Sequence, residues 1–209
     1  MHIYMFGSLC RGEVSRDSDI DLLAITSGFD SRFNPEIYSI YSYGKIRKLW
    51  KAGNPFAWHL FLESRLAYAS DGLDFIRSLG RPDAYTKCAD DCQKFFLVFC
   101  RARDLLLAGS DNTIFELSNI FLGIRNAATC YSLGMLSVPT FSRRSALEIG
   151  QKSLSIPEPA FNVLERARIL STRGKGNLIL ESEVDTALQH LDQIMGWLED
   201  LVQETRKHG

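Results

Sequence analysis

The stretch Phe6 to Ile25, FGSLCRGEVSRDSDIDLLAI, decides how this chain is read. Ile3 to Phe6 is a short apolar run halted at Gly7-Ser8, which predicts a strand ending in a tight turn. Asp19 to Thr26, DIDLLAIT, starts with acids and continues as a nearly unbroken apolar body, the pattern of a strand covered on both faces. Asp19 and Asp21 are two apart on that strand, so both carboxylates point to one face, about 6–7 Å apart along the backbone. Two acids aimed together from an apolar strand are costly unless a positive charge lies between them. A divalent cation fits, with hard oxygen ligands and its remaining positions left to water and phosphate. Upstream, Gly7 lets a backbone approach a ligand closely, and Ser8 offers a hydroxyl and an N–H at a helix start, which suits a triphosphate. Phosphate and metal-bearing acids on neighbouring strand ends together suggest a two-metal phosphoryl-transfer site.

The same residues resemble a known family. Apolar-Gly7-Ser8, ten residues, then Asp19-Ile20-Asp21-Leu22 looks like the signature of the DNA polymerase β-like nucleotidyltransferases. Arg11-Gly12 and Ser18 resemble its minimal bacterial branch, which includes the antibiotic nucleotidyltransferases and the nucleotidyltransferase partners of HEPN proteins. The resemblance implies a small mixed sheet on which Gly7, Ser8 and Arg11 bind the nucleotide while Asp19 and Asp21 hold Mg²⁺. It implies transfer of a nucleoside monophosphate, AMP from ATP or its counterpart from another NTP, to a hydroxyl acceptor with release of pyrophosphate. The acceptor stays open among a small molecule, a protein and an RNA end, and a homodimer is admitted. The family usually has a helix before the first strand, whereas here the strand begins almost at Met1; either the start is truncated or something else covers that sheet face. The family also places a third carboxylate near the start of its third strand.

Outward from the motif, Asn34-Pro35-Glu36 reads as a helix start, with a helix to about Ala52 carrying Ile37, Ile40, Tyr41 and Leu49. Ala57 to Leu62, AWHLFL, reads as the third strand, and Ser70-Asp71 opens a short helix ending at Gly80. On that reading His59 occupies the place of the third carboxylate. As a neutral imidazole it would be a catalytic proton acceptor for the acceptor hydroxyl, or else a structural residue. Glu63 shares its face but would lie roughly 13 Å further along an extended strand. The substitution leaves a second reading standing: a degenerate nucleotide-binding or interaction module with an antitoxin-like role.

Beyond Pro82 the period is helical. Helices are expected over Asp83 to Ala108, after Asp111 or Asn112, briefly after Ser142, after Pro157, and from Glu181 to about Lys207. The last carries a stripe of Val184, Leu188, Leu191, Met195, Leu198 and Val202. Ile124-Arg125-Asn126-Ala127-Ala128 looks like the Arg-Asn core of HEPN bundles, but Cys130, Tyr131 and Ser132 stand where HEPN ribonucleases need a His, so RNA cleavage is not expected. Arg125 and Asn126 then brace helices or line a substrate cleft. Arg166, Arg168, Arg173 and Lys175 suit a helix C-terminus better than an anion site. Cys88, Cys92 and Cys100 have no His at ligand spacing and read as core. Trp50 and Trp58 could wall a cleft beside the third strand.

The whole chain fits this division. It has 209 residues, 45% hydrophobic and 23% charged, which is globular composition. Lys plus Arg number 24 against 25 acids, and a net charge of -1 lacks the basic excess of a non-specific nucleic-acid binder. No apolar run nears the roughly 18 residues of a membrane span. Five cysteines without framework spacing suggest reduced thiols in a cytoplasm. The expected fold class is α+β: a polymerase β-like mixed-sheet domain over residues 1–82, followed by an all-helical, HEPN-like bundle over 83–209.

Overall fold

The computed structural model describes residues 1–13 and 20–208; Ser18 and Asp19 lie outside them. The chain divides into two compact units, Met1–Thr86 and Lys87–Gly209. The first is mixed α and β and the second is helical, so the protein is α+β.

The first unit runs β1 (His2–Phe6), α1 (Ser8–Arg11), β2 (Asp21–Thr26), β3 (Tyr38–Ser42), α2 (Tyr43–Lys51), α3 (Pro55–Glu63), β4 (Arg65–Ala69) and α4 (Phe75–Ser78). Among the described residues the strands form one sheet in the order β3-β2-β1-β4. β1 is antiparallel to β2 and β4, while β2 and β3 are parallel. One sheet face carries Tyr4, Phe6, Leu23 and Ile25 into a core completed by Ile46 and Trp50 of α2, Ala57 and Leu60 of α3, and Phe75 and Ile76 of α4.

Three expectations fail here. Asn34 starts only a turn: its side-chain oxygen accepts from the Glu36 N–H (2.9 Å) and its carbonyl from the N–H groups of Ile37 and Tyr38. Tyr38–Ser42 then pairs with β2 as an edge strand, and the helix starts at Ser42, whose hydroxyl accepts from the Lys45 N–H at 3.1 Å. The proposed third strand AWHLFL is the body of helix α3. Asn54 caps it by accepting from the Phe56 N–H (2.9 Å), and Pro55 in the first turn already has a helical φ. His59 therefore sits on a helix and not at a strand start. The fourth strand is Arg65–Ala69, a segment with no sequence expectation attached to it.

The two indoles do not flank a strand. Trp50 Nε1–H donates to the Gly80 carbonyl (2.9 Å) and Trp58 Nε1–H to the Asp83 carbonyl (3.1 Å). Both are buried and fasten the segment that leaves α4. Gly53, at φ 57°, permits the same closure: a Cβ there would stand 2.2 Å from the Ala84 carbonyl oxygen.

The second unit contains α5 (Cys88–Leu107), α6 (Thr113–Met135), α7 (Glu158–Arg173), α8 (Glu181–Leu188) and α9 (Leu191–His208), with two short 3-10 turns before α7. α7 stops at Gly174, which takes the left-handed conformation at φ 60°. The single expected C-terminal helix is broken at Gln189-His190. Leu191, Ile194, Leu198, Leu201 and Val202 are its buried stripe, while Val184, Leu188 and Met195 are only partly covered. Gly123 lets α5 and α6 meet closely, since a Cβ there would lie 3.0 Å from the Phe95 carbonyl oxygen. Among the described residues no helix is long and apolar enough to cross a membrane.

Candidate functional site

The site is built where β1 ends. Strand register sets Phe6 opposite Asp21, so the first residue of β2 lies beside the turn that closes β1. That turn needs Gly7. Its φ is 75°, a region strained for other residues, and a Cβ there would sit 2.5 Å from Asp21 Oδ2. The carboxylate thus packs into the space that the missing side chain leaves, while Asp21 itself is exposed at the sheet end. Ser8 follows as the first residue of α1. Gly7, Ser8 and Asp21 are accordingly gathered at one end of the sheet, as the sequence motif requires. Asp19 falls outside the described residues.

Arg11 is held differently from the expectation. Its Nε and Nη2 each lie 2.9 Å from Glu13 Oε2, and its Nη1 donates to Glu63 Oε2. The guanidinium is directed at two carboxylates within the protein. His59 also meets Glu63: its Nε2 lies 2.9 Å from the same Oε2, one helical turn back along α3. The distance of roughly 13 Å expected for a strand collapses because residues four apart on a helix are neighbours. The imidazole is wedged edge-on against Phe6 and Phe56, with ring centroids 5.6 and 6.5 Å away.

The side chains of Arg11, His59 and Glu63 are 18, 13 and 14% exposed, so this is a largely buried ionic cluster. Burial alone would raise the Glu63 carboxyl. The His59 hydrogen bond, with the charges of His59 and Arg11, outweighs it and holds Glu63 below the ordinary carboxylate range. The Cys10 thiol is pushed up by burial, against the opposing influence of Arg65, and it donates to the Met5 carbonyl at 3.4 Å. Glu63 is the residue whose part sequence reasoning missed. The signal was present as His59-x-x-x-Glu63, which pairs only once α3 is read as a helix.

Among the described residues no strand other than β2 carries an acid where the resemblance implies a third carboxylate. β1, β3 and β4 read HIYMF, YSIYS and RLAYA, without a carboxylate. Asp21 places a hard oxygen donor, of the kind a divalent cation takes, beside a side-chain-free residue at the sheet end. Among the described residues no three His, Cys, Asp or Glu side chains gather into a metal cage.

Several singled-out residues of the helical unit make contacts within it. Arg125 Nη2 donates to the Phe141 carbonyl (3.1 Å) and its Nε to that of Ser142 (3.5 Å), tying α6 to the loop after it. Arg166 binds Glu183 at 2.6 Å and the Leu178 carbonyl at 2.8 Å, and Arg168 donates to Ser118 Oγ at 3.3 Å. Cys88 and Cys92 direct their thiols at the carbonyls of Cys130 and Ala127.

No curated protein matches the chain. Residues 2–71, which span β1 to β4, match the family model of the nucleotidyltransferase domain, polymerase β-like in kind; the match does not extend into the helical unit. Nucleotidyl transfer is therefore the general function that this match supports.

Proposed function

We propose that the first unit moves a nucleoside monophosphate, AMP from ATP, onto a hydroxyl acceptor. The acceptor oxygen bonds to the α-phosphorus, the bond from that phosphorus to the bridging oxygen breaks, and pyrophosphate leaves; the hydroxyl proton passes to solvent. The observation that carries this reading is the contact of Gly7 with Asp21, where a strained, side-chain-free turn is kept against an acid at a sheet end. A structural turn has no need of that acid, whereas a triphosphate beside a metal-binding carboxylate needs both. Asp21, with Asp19, would hold Mg²⁺. The bound metal supplies charge neutralisation of the triphosphate and stabilisation of the attacking and leaving oxygens. The Gly7 backbone and the Ser8 hydroxyl contact the leaving phosphates. His59, buried against Phe6 and Glu63, has a positioning part and not that of proton acceptor.

Pyrophosphate release tests this directly, with Mg²⁺ and each labelled NTP, against aminoglycosides, cell protein and tRNA. Release with one NTP, lost in Asp19→Asn and in Asp21→Asn, is the expected result. Undiminished release in either variant overturns the mechanism. A second reading, a nucleotide-binding module without turnover, is favoured by the absence of an acid on β3 and β4. It predicts Mg²⁺-dependent ATP affinity with no pyrophosphate from any acceptor.

A further inference from the structure

We propose that Glu63 is a positioning residue: it locks the Gly7–Arg11 turn onto α3 and thereby sets the affinity for nucleotide. This rests on the transfer reading for what the turn binds, but the lock itself is argued from the turn's own anchorage.

α1 has four residues and none of them is buried. Its backbone is closed locally, by bonds from the Cys10 N–H to the Gly7 carbonyl (3.0 Å) and from the Glu13 N–H to the Ser8 carbonyl (3.0 Å). A helix this short is not stable by itself, and none of its four residues is fully buried. Its side-chain ties to the rest of the unit include the Cys10 thiol on the Met5 carbonyl, a weak bond, and Arg11 on Glu63. The Glu63 end is firm. It is the last residue of α3, whose Ala57, Trp58 and Leu60 are buried, and His59 one turn earlier takes hold of the same carboxylate oxygen. One oxygen therefore receives a guanidinium from the turn, while an imidazole of the core helix lies against it.

Removing the charge at residue 63 frees Arg11 while the core helix stays in place. The turn then loses the tie that orients Gly7 and Ser8 before ligand arrives. Preorganisation lost in the free protein has to be recovered on binding, so affinity falls. The step at phosphorus, which depends on Asp19 and Asp21, is affected less.

The test uses the full chain. Glu63→Gln keeps the shape but not the charge, Arg11→Met removes the other partner, and Arg11→Lys keeps a cation. Glu63→Gln and Arg11→Met are each expected to raise KM for the NTP about tenfold with kcat within about twofold. The double variant should be no worse than either single one, since they break the same bond. Arg11→Lys should recover part of the loss. A KM that stays unchanged, a kcat that falls in step with kcat/KM, or additive effects in the double variant each overturn the proposal. Amide hydrogen exchange separates this from failure of the transfer reading. In Glu63→Gln the amides of Leu9 to Glu13 should exchange about tenfold faster or more, with those of β1 unchanged. If wild-type protein releases no pyrophosphate, transfer falls, and the exchange result together with the Kd for MgATP still decides the lock. Unchanged exchange, or an unchanged Kd, overturns it.

Discussion

Two arginines that the sequence singled out, Arg11 of the sheet unit and Arg125 of the helical unit, are held in different ways. In the sheet unit, Arg11 lies between two carboxylates, Glu13 and Glu63, and the second of these also holds His59. In the helical unit, Arg125 is directed at the carbonyls of Phe141 and Ser142, and Arg166 adds the Leu178 carbonyl to its pair with Glu183. A carbonyl never changes charge, so a guanidinium bound to one is a permanent brace for a loop. A carboxylate shared by a guanidinium and an imidazole responds to pH and to substitution of any member. The difference teaches where to look for adjustable chemistry, and it points to the end of β1.

The sharpest way to break that contrast is to disturb Gly7. Gly7→Ala forces a Cβ into Asp21 at a φ of 75°, so either the turn or the carboxylate must move. Pyrophosphate release is expected to fall about a thousandfold, on the scale of losing an electrostatic catalytic group. Asp21→Asn should match that loss with an unchanged melting temperature. Equal activity of wild type and Gly7→Ala would place the chemistry somewhere other than this sheet end.

Next in size is Gly53→Ala, which puts a methyl group 2.2 Å from the Ala84 carbonyl oxygen at a positive φ. The turn cannot yield without releasing the Trp50 and Trp58 bonds to Gly80 and Asp83. A destabilisation of about 2–4 kcal/mol is expected, from strain plus a displaced closure. Chemical denaturation followed by indole fluorescence reads it, because two of the three indoles, Trp50 and Trp58, sit at the closure. A change within error would mean that the residues after α4 are held by something other than these tryptophans.

How much of this was legible follows from the same contrast. That Gly7, Ser8 and Asp21 lie together was legible because they are close in sequence and strand register brings them to one sheet end without further help. The helical unit was mapped closely because its packing depends on a 3.6-residue apolar period, although the break at Gln189-His190 was hidden by a stripe that runs through it. β3 and β4 were missed because they are edge strands. Ile40 is 37% exposed and Tyr68 48%, so pairing through the backbone leaves no alternation for side chains to report. α3 was taken for a strand because PFAWHLFL is apolar on nearly every side, and its Asn54-Pro55 cap was the decisive signal. That one exchange of helix for strand displaced His59 and concealed its pair with Glu63.

A smaller effect sharpens the helical side of the comparison. Arg125→Met should cost about 1–2 kcal/mol of stability in the second unit, the scale for a charged donor lost from backbone carbonyls, with pyrophosphate release unchanged. Bracing accounts for both results. A variant of normal stability whose release falls tenfold or more would instead give Arg125 a part in substrate binding.

The smallest effect lies on the acid limb of stability and isolates the shared carboxylate. Glu63 has a native pKa below its unfolded value, so its ionised form stabilises the fold. That contribution is fully present above the ordinary carboxylate pKa and is lost as pH falls through the depressed native value. Wild-type protein should therefore lose melting temperature on acidification below about pH 4.3, the ordinary value for Glu. Glu63→Gln, already without the charge, should start lower near neutrality and fall less over the same range. The two curves should converge at low pH, where both side chains are neutral. Parallel curves would mean that the ion pair with Arg11 and the imidazole adds nothing to the folded state; the shared oxygen would then be a consequence of the packing of α1 on α3, not its cause.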